Sequence, residues 1–301
     1  KVNIFNAPLL RNMAQYIYRV HIGGNYFVNF ADSAPKVSPS PGILYRYGEL
    51  TGDPAMMKFA SFMAQQNQSF KDGVNDELFM YKDIIGHPQG EPLTGTYWFK
   101  DTQICVARDT EGKSDGFFFA AKGGNNQESH NHNDVGTFIL AFDNVPVMID
   151  AGVGTYTRKT FSKERYTIWT MQSDYHNLPM INGVSEQFGA QYKARNVKAD
   201  AKSLSFSADI AGAYPTEAAV EYWTRSYQLK KNRLLISDNF ILKEAKAPNK
   251  VNFLTWGNVD ISKKGLVVIN VKGITAALSN LRTKYREGEP DRPSSVEGLG
   301  Q

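Results

Sequence analysis

The 301-residue chain has a single cysteine, Cys105, so no internal disulfide holds it together. The string around it, Ile104–Ala107, is apolar, and Cys105 is expected on a buried strand rather than at a reactive site. No apolar run reaches the roughly 20 residues of a membrane span, which argues against a membrane partner. Blocks of like charge are missing too. With basic residues spread out and a formal net charge of only +4, nucleic acid is not the expected partner, although a modest positive excess suits an anionic polymer. There is no internal repeat and no visible targeting segment, and a start at Lys1 without an initiator Met reads as that of a fragment. Histidine is scarce, five in all, which makes the placement of each one informative.

What is present is the composition of a globular protein, 42% hydrophobic and 21% charged residues. The 18 phenylalanines and 15 tyrosines favour a β-rich core, and aromatic faces would also stack on sugar rings. Residues 1–72 read as helical. Leu9, Leu10, Met13, Ile17 and Val20 recur at spacings of three and four and so share one face. After Gly52, Asp53 is a candidate N-cap and Pro54 a first helical residue, ahead of Met56, Met57, Phe59, Ala60, Phe62 and Met63. The stretch Pro35–Pro41 breaks these two helices apart. So few helices cannot bury both faces alone, and 1–72 is expected to be the C-terminal remnant of a larger helical domain. Residues 73–97, with Gly73, Gly86, Pro88, Gly90, Pro92 and Gly95, read as a linker.

Residues 98–283 change pattern. Gly116–Lys122, Thr137–Phe142, Val145–Ile149, Ser203–Asp209, Trp223–Leu229, Arg233–Asn239, Val251–Trp256 and Leu266–Val271 are short β-prone runs bounded by turn residues. With no helices between them, they predict a mainly β domain, an antiparallel β-sandwich. Residues 284–301 are charged, rich in Pro and Gly and unlike a closing strand; a disordered or non-native tail is expected.

The densest polar run, Asn125–Asp134, separates two apolar strands. Such a run is usually a solvated loop, but this one holds His130 and His132, whose i, i+2 spacing puts both rings on one side of an extended chain. A further histidine, His176, stands in Tyr175-His176-Asn177, and Asp150 ends the strand Val145–Ile149. An Asp before Ala151-Gly152 is often a turn former only. Yet two imidazoles and a carboxylate are a common zinc ligand set, leaving a fourth position to water or substrate.

The strings His130-Asn131-His132-Asn133-Asp134-Val135-Gly136, Ile149-Asp150-Ala151-Gly152 and Tyr175-His176-Asn177 resemble the signature of heparinase II/III-like polysaccharide lyases, a family related to two-domain alginate lyases. The resemblance implies a heparinase II/III-like C-terminal β-sandwich preceded by the last helices of an α/α-toroid. It implies zinc on His132, Asp150 and His176, with His130 facing the uronate of the substrate. Tyr166 falls where related lyases carry an active-site tyrosine, with Tyr156 and Tyr175 as competitors for that role. The substrate would be an acidic polysaccharide, cleaved by β-elimination, and the protein a bacterial one, periplasmic or secreted.

Elimination removes the weakly acidic C5 proton of a uronate, so the neighbouring carboxylate must be neutralised and the developing enolate stabilised. His130 suits that task, and a tyrosine suits the proton transfer. Zinc would act by locking His132 and so orienting His130. Asn131 and Arg165 are candidate substrate contacts, and Asn131, Asn133 and Asp134 are also candidate loop braces. Arg158 and Lys159 are weaker candidates of the same kind. The family's helical toroid supplies a further tyrosine and an Asn or His that match nothing in 1–72. Two other readings therefore stay open: a carbohydrate-binding or scaffolding β-sandwich with a structural zinc, and a metal-dependent hydrolase.

Overall fold

A computed structural model describes residues 5, 7–67, 76–279 and 294–298. The chain divides into two compact units. The first comprises Lys1–Phe27, Lys36–Gly95 and Thr110–Ser114; the second comprises Val28–Pro35, Thr96–Asp109 and Asp115–Gln301.

The first unit holds helices α1 (Pro8–Arg19), α2 (Pro41–Thr51), α3 (Pro54–Asn67) and α4 (Asp76–Gly86), with a ribbon of β1 (His21–Gly23) and β2 (Tyr26–Phe27). The start of α3 follows the expected chemistry: Asp53 Oδ1 accepts the Met56 amide at 3.0 Å, and Pro54 needs no donor there. The other oxygen of Asp53 takes Tyr18 and Gln15 of α1 at 3.0 and 3.1 Å, so the cap also fastens two helices together. Met56, Phe59, Ala60, Phe62 and Met63 are buried, as their spacing requires. The stripe of α1 fares differently. Leu9 and Met13 remain 69% and 63% exposed among the described residues. Helix α4 lies inside the expected linker. Apart from Gly73, the linker's glycines and prolines lie at or beyond the C-terminal end of this eleven-residue helix and conceal it. Residues 73–75 of that stretch lie outside the described residues.

The second unit is mainly β. Strands β3 (Thr96–Phe99), β4 (Ile104–Arg108), β5 (Phe117–Lys122), β6 (Asn125–Asn126), β7 (Phe138–Phe142) and β8 (Val145–Met148) come first. Then follow β9 (Pro179–Met180), β10 (Gly189–Lys193), β11 (Arg195–Asp200), β12 (Ser205–Asp209), β13 (Val220–Lys230) and β14 (Arg233–Leu242). The last are β15 (Lys250–Val251), β16 (Asn258–Asp260), β17 (Leu266–Val271), β18 (Ile274–Ser279) and β19 (Ser294–Gly298). One antiparallel sheet has the order β3-β4-β5-β7-β8, another the order β11-β12-β13-β14-β19-β18-β17-β16. Short ladders join β6 to β10 and β9 to β15.

The two sheets share one core, a sandwich. Phe117, Phe119, Phe138 and Leu140 of the smaller sheet meet Phe206, Trp223, Tyr227 and Leu229 of the larger. Phe119 and Phe138 each lie 5.2 Å from the Tyr227 ring. Cys105 is buried on β4, as expected.

The alternation along β13 turns Trp223, Arg225, Tyr227 and Leu229 inward. Arg225 is therefore a buried cation, and it faces Asp238 on β14 in register. It grips that carboxylate with two donors, at 2.8 and 2.7 Å, and sends a third to the Asn177 carbonyl at 2.7 Å.

Two expectations are corrected here. Of the run Val251–Trp256 only Val251 is strand, because the Asn252 and Leu254 amides are taken by Leu178 and Asn177 and the Leu254 carbonyl by Ile149. Within 284–301, expected to contain no strand, Ser294–Gly298 pairs with β14 on one side and β18 on the other. Its sequence has little apolar alternation, and the ladder bonds on both flanks supply what side-chain pattern does not.

Candidate functional site

The β7–β8 hairpin delivers Asp150 two residues past the end of β8, and a single 3-10 turn, Ser173–Tyr175, delivers His176. Asn177 holds these two segments together. Its amide nitrogen donates to the Phe138 and Ile149 carbonyls at 2.8 and 3.0 Å, and its oxygen accepts the Leu254 amide at 2.6 Å. The bend after Asp150 needs glycine. Gly152 has φ +64°, and a Cβ there would lie 2.8 Å from the Ser33 carbonyl oxygen. Asn29 closes the same corner by donating to the Asp150 carbonyl at 3.2 Å.

His132, Asp150 and His176 converge, with one ligand atom from each lying within 4.8 Å of the others. All three are buried. His176 Nδ1 is 2.8 Å from Asp150 Oδ2, and Asp150 Oδ1 accepts the Gly152 amide at 2.9 Å. His176 Nε2 and His132 Nδ1 are buried with no hydrogen-bond partner. Two partnerless imidazole nitrogens beside a buried carboxylate fit a divalent cation of zinc's preferences. Tetrahedral zinc wants such donors about 3.4 Å apart, so the cluster has room for the ion. Electrostatics is consistent with a site built around charge. Burial by itself opposes ionisation of both His176 and Asp150, yet each holds the other's charge: His176 lies above the usual histidine range and Asp150 below the usual carboxylate range. His132 lies below its usual range because burial dominates.

His130 has a different setting. Its side chain is 52% exposed and its backbone left-handed, φ 58°. With Asn131, Arg165 and Tyr166 it lines a cavity of about 900 Å³, whose wall also includes Phe161, Lys163 and Phe188. The loop is turned rather than extended, so the i, i+2 spacing is not what brings the two histidines together. Asp32 is. One of its oxygens lies 2.9 Å from His130 Nδ1 and the other 3.0 Å from His132 Nε2. The same carboxylate accepts Arg165 at 2.6 Å and the Tyr156 hydroxyl at 3.2 Å. Burial alone would raise its pKa, but Arg165 and the two histidines hold it below the usual carboxylate range.

The loop is pinned from beneath. Lys122, buried at the end of β5, reaches Asp134 at 2.6 Å and Glu128 at 3.2 Å, one residue on either side of the histidine pair. Glu186 lies behind it and accepts the Val135 amide and the Asn126 side chain at 3.1 and 3.0 Å. Burial pushes Glu186 up to about 8 from an ordinary 4.5. The folded chain then keeps a proton that the unfolded chain releases, so stability falls as pH rises between those values, by at most about 1.4 kcal/mol per pH unit. Glu186→Gln should remove that decline. In urea titrations of chelator-treated protein, its stability relative to wild type should grow by on the order of 1–3 kcal/mol between pH 5.5 and 8. Parallel curves for the two proteins would mean that Glu186 ionises normally.

Of the candidate substrate contacts, Arg165 has a structural task as well. It borders the cavity, but its guanidinium is directed at Asn131 O, Thr160 O and Asp32, at 2.9, 2.8 and 2.6 Å, which makes it a brace of the loop. Asn131 is almost wholly buried and donates to the Tyr166 hydroxyl at 3.2 Å. Tyr166 stacks on Phe188, ring centres 4.7 Å apart, and burial raises its pKa. Tyr156 reaches Asp32 and lies 3.4 Å from His130 Nδ1, whereas Tyr175 is exposed and packs on Trp169. Sequence reasoning missed Asp32, Lys122, Glu186 and Arg225. Asp32 and Glu186 carried no signal beyond being lone acids, but Arg225 is a charge at an inward strand position and demands a partner.

A family description, heparinase II/III-like C-terminal, matches residues 96–284. None of the curated proteins matches the chain. Among solved structures, a mutant of heparan sulfate lyase HepC from Pedobacter heparinus superimposes with a TM-score of 0.65 at 16% identity, covering 96% of this chain and 43% of that one. Heparinase III does so with a TM-score of 0.61 at 14% identity, covering 97% of this chain and 45% of that one. The chain thus spans less than half the length of these structures, and at such identities the likeness is one of fold. With the matched stretch taking in nearly all of the β unit, its histidine loop included, the chain belongs to the heparinase II/III-like C-terminal family.

Proposed function

We propose that this chain is the metal-bearing part of a polysaccharide lyase that cleaves a uronic-acid-containing acidic polysaccharide by β-elimination, in the periplasm or outside the cell. The observation that carries the reading is the buried His132–Asp150–His176 cluster, with two partnerless nitrogens, next to a cavity lined by His130, Asn131 and Tyr166. The structural relatives are heparan sulfate lyase and heparinase III by name, which supports an acidic glycan as substrate. No helix among the described residues is long and apolar enough to cross a membrane.

His132, Asp150 and His176 would hold zinc, which when bound supplies a fixed positive charge that locks the histidine loop. His130, anchored through Nδ1, meets the uronate carboxylate with its remaining nitrogen and lowers the cost of the negative charge that builds up there. The C5 proton leaves to a base, the C4–O bond breaks, and a C4–C5 double bond remains. Tyr166, its pKa raised by burial, keeps its phenolic proton at neutral pH. That favours Tyr166 as the donor to the departing oxygen over a role as the base. Asn131 donates to the Tyr166 oxygen and leaves its proton free for that transfer.

The test is zinc content together with product chemistry, using the full-length protein and a panel of uronate polymers. About one zinc per chain and unsaturated uronate ends are expected. Saturated ends would replace this reading with a metal-dependent hydrolase. Binding without turnover would leave a carbohydrate-binding sandwich whose zinc is structural.

A further inference from the structure

Asp32 is 98 and 100 positions from the two histidines it touches, and it reaches them from a segment, Val28–Pro35, that packs into the β unit. Its side chain is 3% exposed. Each oxygen has one histidine and one other donor: Oδ2 has His130 Nδ1 and Tyr156, and Oδ1 has His132 Nε2 and Arg165. The segment is fixed in place independently of these bonds. Asn29 is bonded to the Asp150 carbonyl, and the Ser33 carbonyl lies against Gly152. The residue before Asp32, Ala31, has φ 59°, and His130 has φ 58°. Non-glycine residues adopt that left-handed conformation only uncommonly.

An ionised carboxylate only accepts hydrogen bonds, so the ring nitrogen facing it must carry the hydrogen. For His132 that nitrogen is Nε2, which leaves the lone pair on Nδ1, the buried nitrogen with no partner in the metal cluster. For His130 it is Nδ1, which leaves Nε2 as the nitrogen available to a ligand in the cavity. The two rings need opposite tautomers, and a single carboxylate imposes both. We infer that Asp32 is the positioning residue of this site: it sets the metal-binding face of His132 and the substrate-facing nitrogen of His130 together, and so couples metal retention to the geometry of the reacting centre. Partners that orient a ligating histidine are worth about 10–100-fold in metal affinity. The inference rests on the lyase reading for what His130 does, but not for which hydrogen each ring carries.

Asp32→Asn is the variant of choice, because it keeps the size and replaces one acceptor oxygen with a donor, so that only one ring can keep both its partner and its present tautomer. The experiment uses full-length protein labelled with ¹⁵N-histidine. Ring-nitrogen spectra of the metal-free protein report the tautomers, chelator competition gives zinc affinity, and steady-state kinetics gives kcat and KM. In the wild type, His130 should be the Nδ1–H and His132 the Nε2–H tautomer. In Asp32→Asn at least one ring should become a mixture, zinc should bind about 10–100-fold more weakly, and kcat should fall with KM changed less than about threefold. Unchanged ring patterns and zinc affinity in the variant would overturn the inference, even if turnover fell. If Asp32→Asn failed to fold, the wild-type spectra alone would still decide it, since the reverse tautomers there exclude the role. A wild type without zinc or turnover would remove the lyase reading, while the metal-free tautomers would go on to support or overturn Asp32.

Discussion

Replacing His130 with alanine is expected to lower turnover by about 10²–10⁴-fold while leaving zinc bound at one per chain. The expectation follows from the division of labour in the histidine loop. His132 and His176 are buried, belong to the three-residue cluster and each have a partnerless ring nitrogen, whereas His130 is half exposed, lines the cavity and is not one of the three clustered residues. His176→Ala should do the opposite in order, losing the metal first and activity as a consequence. Metal analysis and a product assay on both variants separate the two roles. Retained turnover in His130→Ala would remove the histidine from the chemistry, and zinc lost from it would mean that His130 belongs to the metal site. Since Asp32 binds both rings, His130→Ala also leaves one of its oxygens with Tyr156 alone, so a small drop in zinc affinity is consistent with the division and a large one is not.

Replacing Arg225 with alanine is expected to cost about 3–5 kcal/mol of stability, the usual result of breaking a buried ion pair from one side. Arg225 is 1% exposed and makes two bonds to Asp238. Among the described residues, Asp238 would keep the indole of Trp223, at 2.8 Å, as a side-chain donor. The third bond matters for function. It ends on the Asn177 carbonyl, and Asn177 ties His176 to the strand before Asp150. Arg225→Ala should therefore weaken zinc binding as well as folding, although it lies in the facing sheet. Arg225→Lys keeps the charge but not the two-point grip and should recover only part of the loss. Urea titration measures the first effect and chelator competition the second. A loss below about 1 kcal/mol would mean that the pair contributes no more than a surface one.

The β core was legible because its strands are written plainly. Phe117–Lys122 is an unbroken apolar run up to its terminal lysine, as a strand buried on both faces requires, and Trp223–Leu229 alternates. The start of α3 was legible because Asp53-Pro54 is local chemistry. The histidine loop, Asp150 and His176 stood out as strings with a family resemblance, and the structure brings His132, Asp150 and His176 together. What could not be read is what depends on distant partners. Nothing in Ala31-Asp32-Ser33 points 100 positions downstream. Arg165 was read as a substrate contact, and only the fold reveals that it also donates to Asn131 O, Thr160 O and Asp32. Strand β19 has no pattern of its own and is recruited by its neighbours' free edges.

The wall that Val28–Pro35 contributes beside the His132–Asp150–His176 cluster bears on where this protein can be cut. Similarity in sequence delimits a unit of residues 96–284, and that unit leaves out Asn29 and Asp32. A domain excised at that border would carry all three clustered ligands and still lack the carboxylate behind one and the amide behind another. An excised sandwich therefore keeps this wall only if residues 28–35, which precede that border in sequence but pack with the sandwich, travel with it.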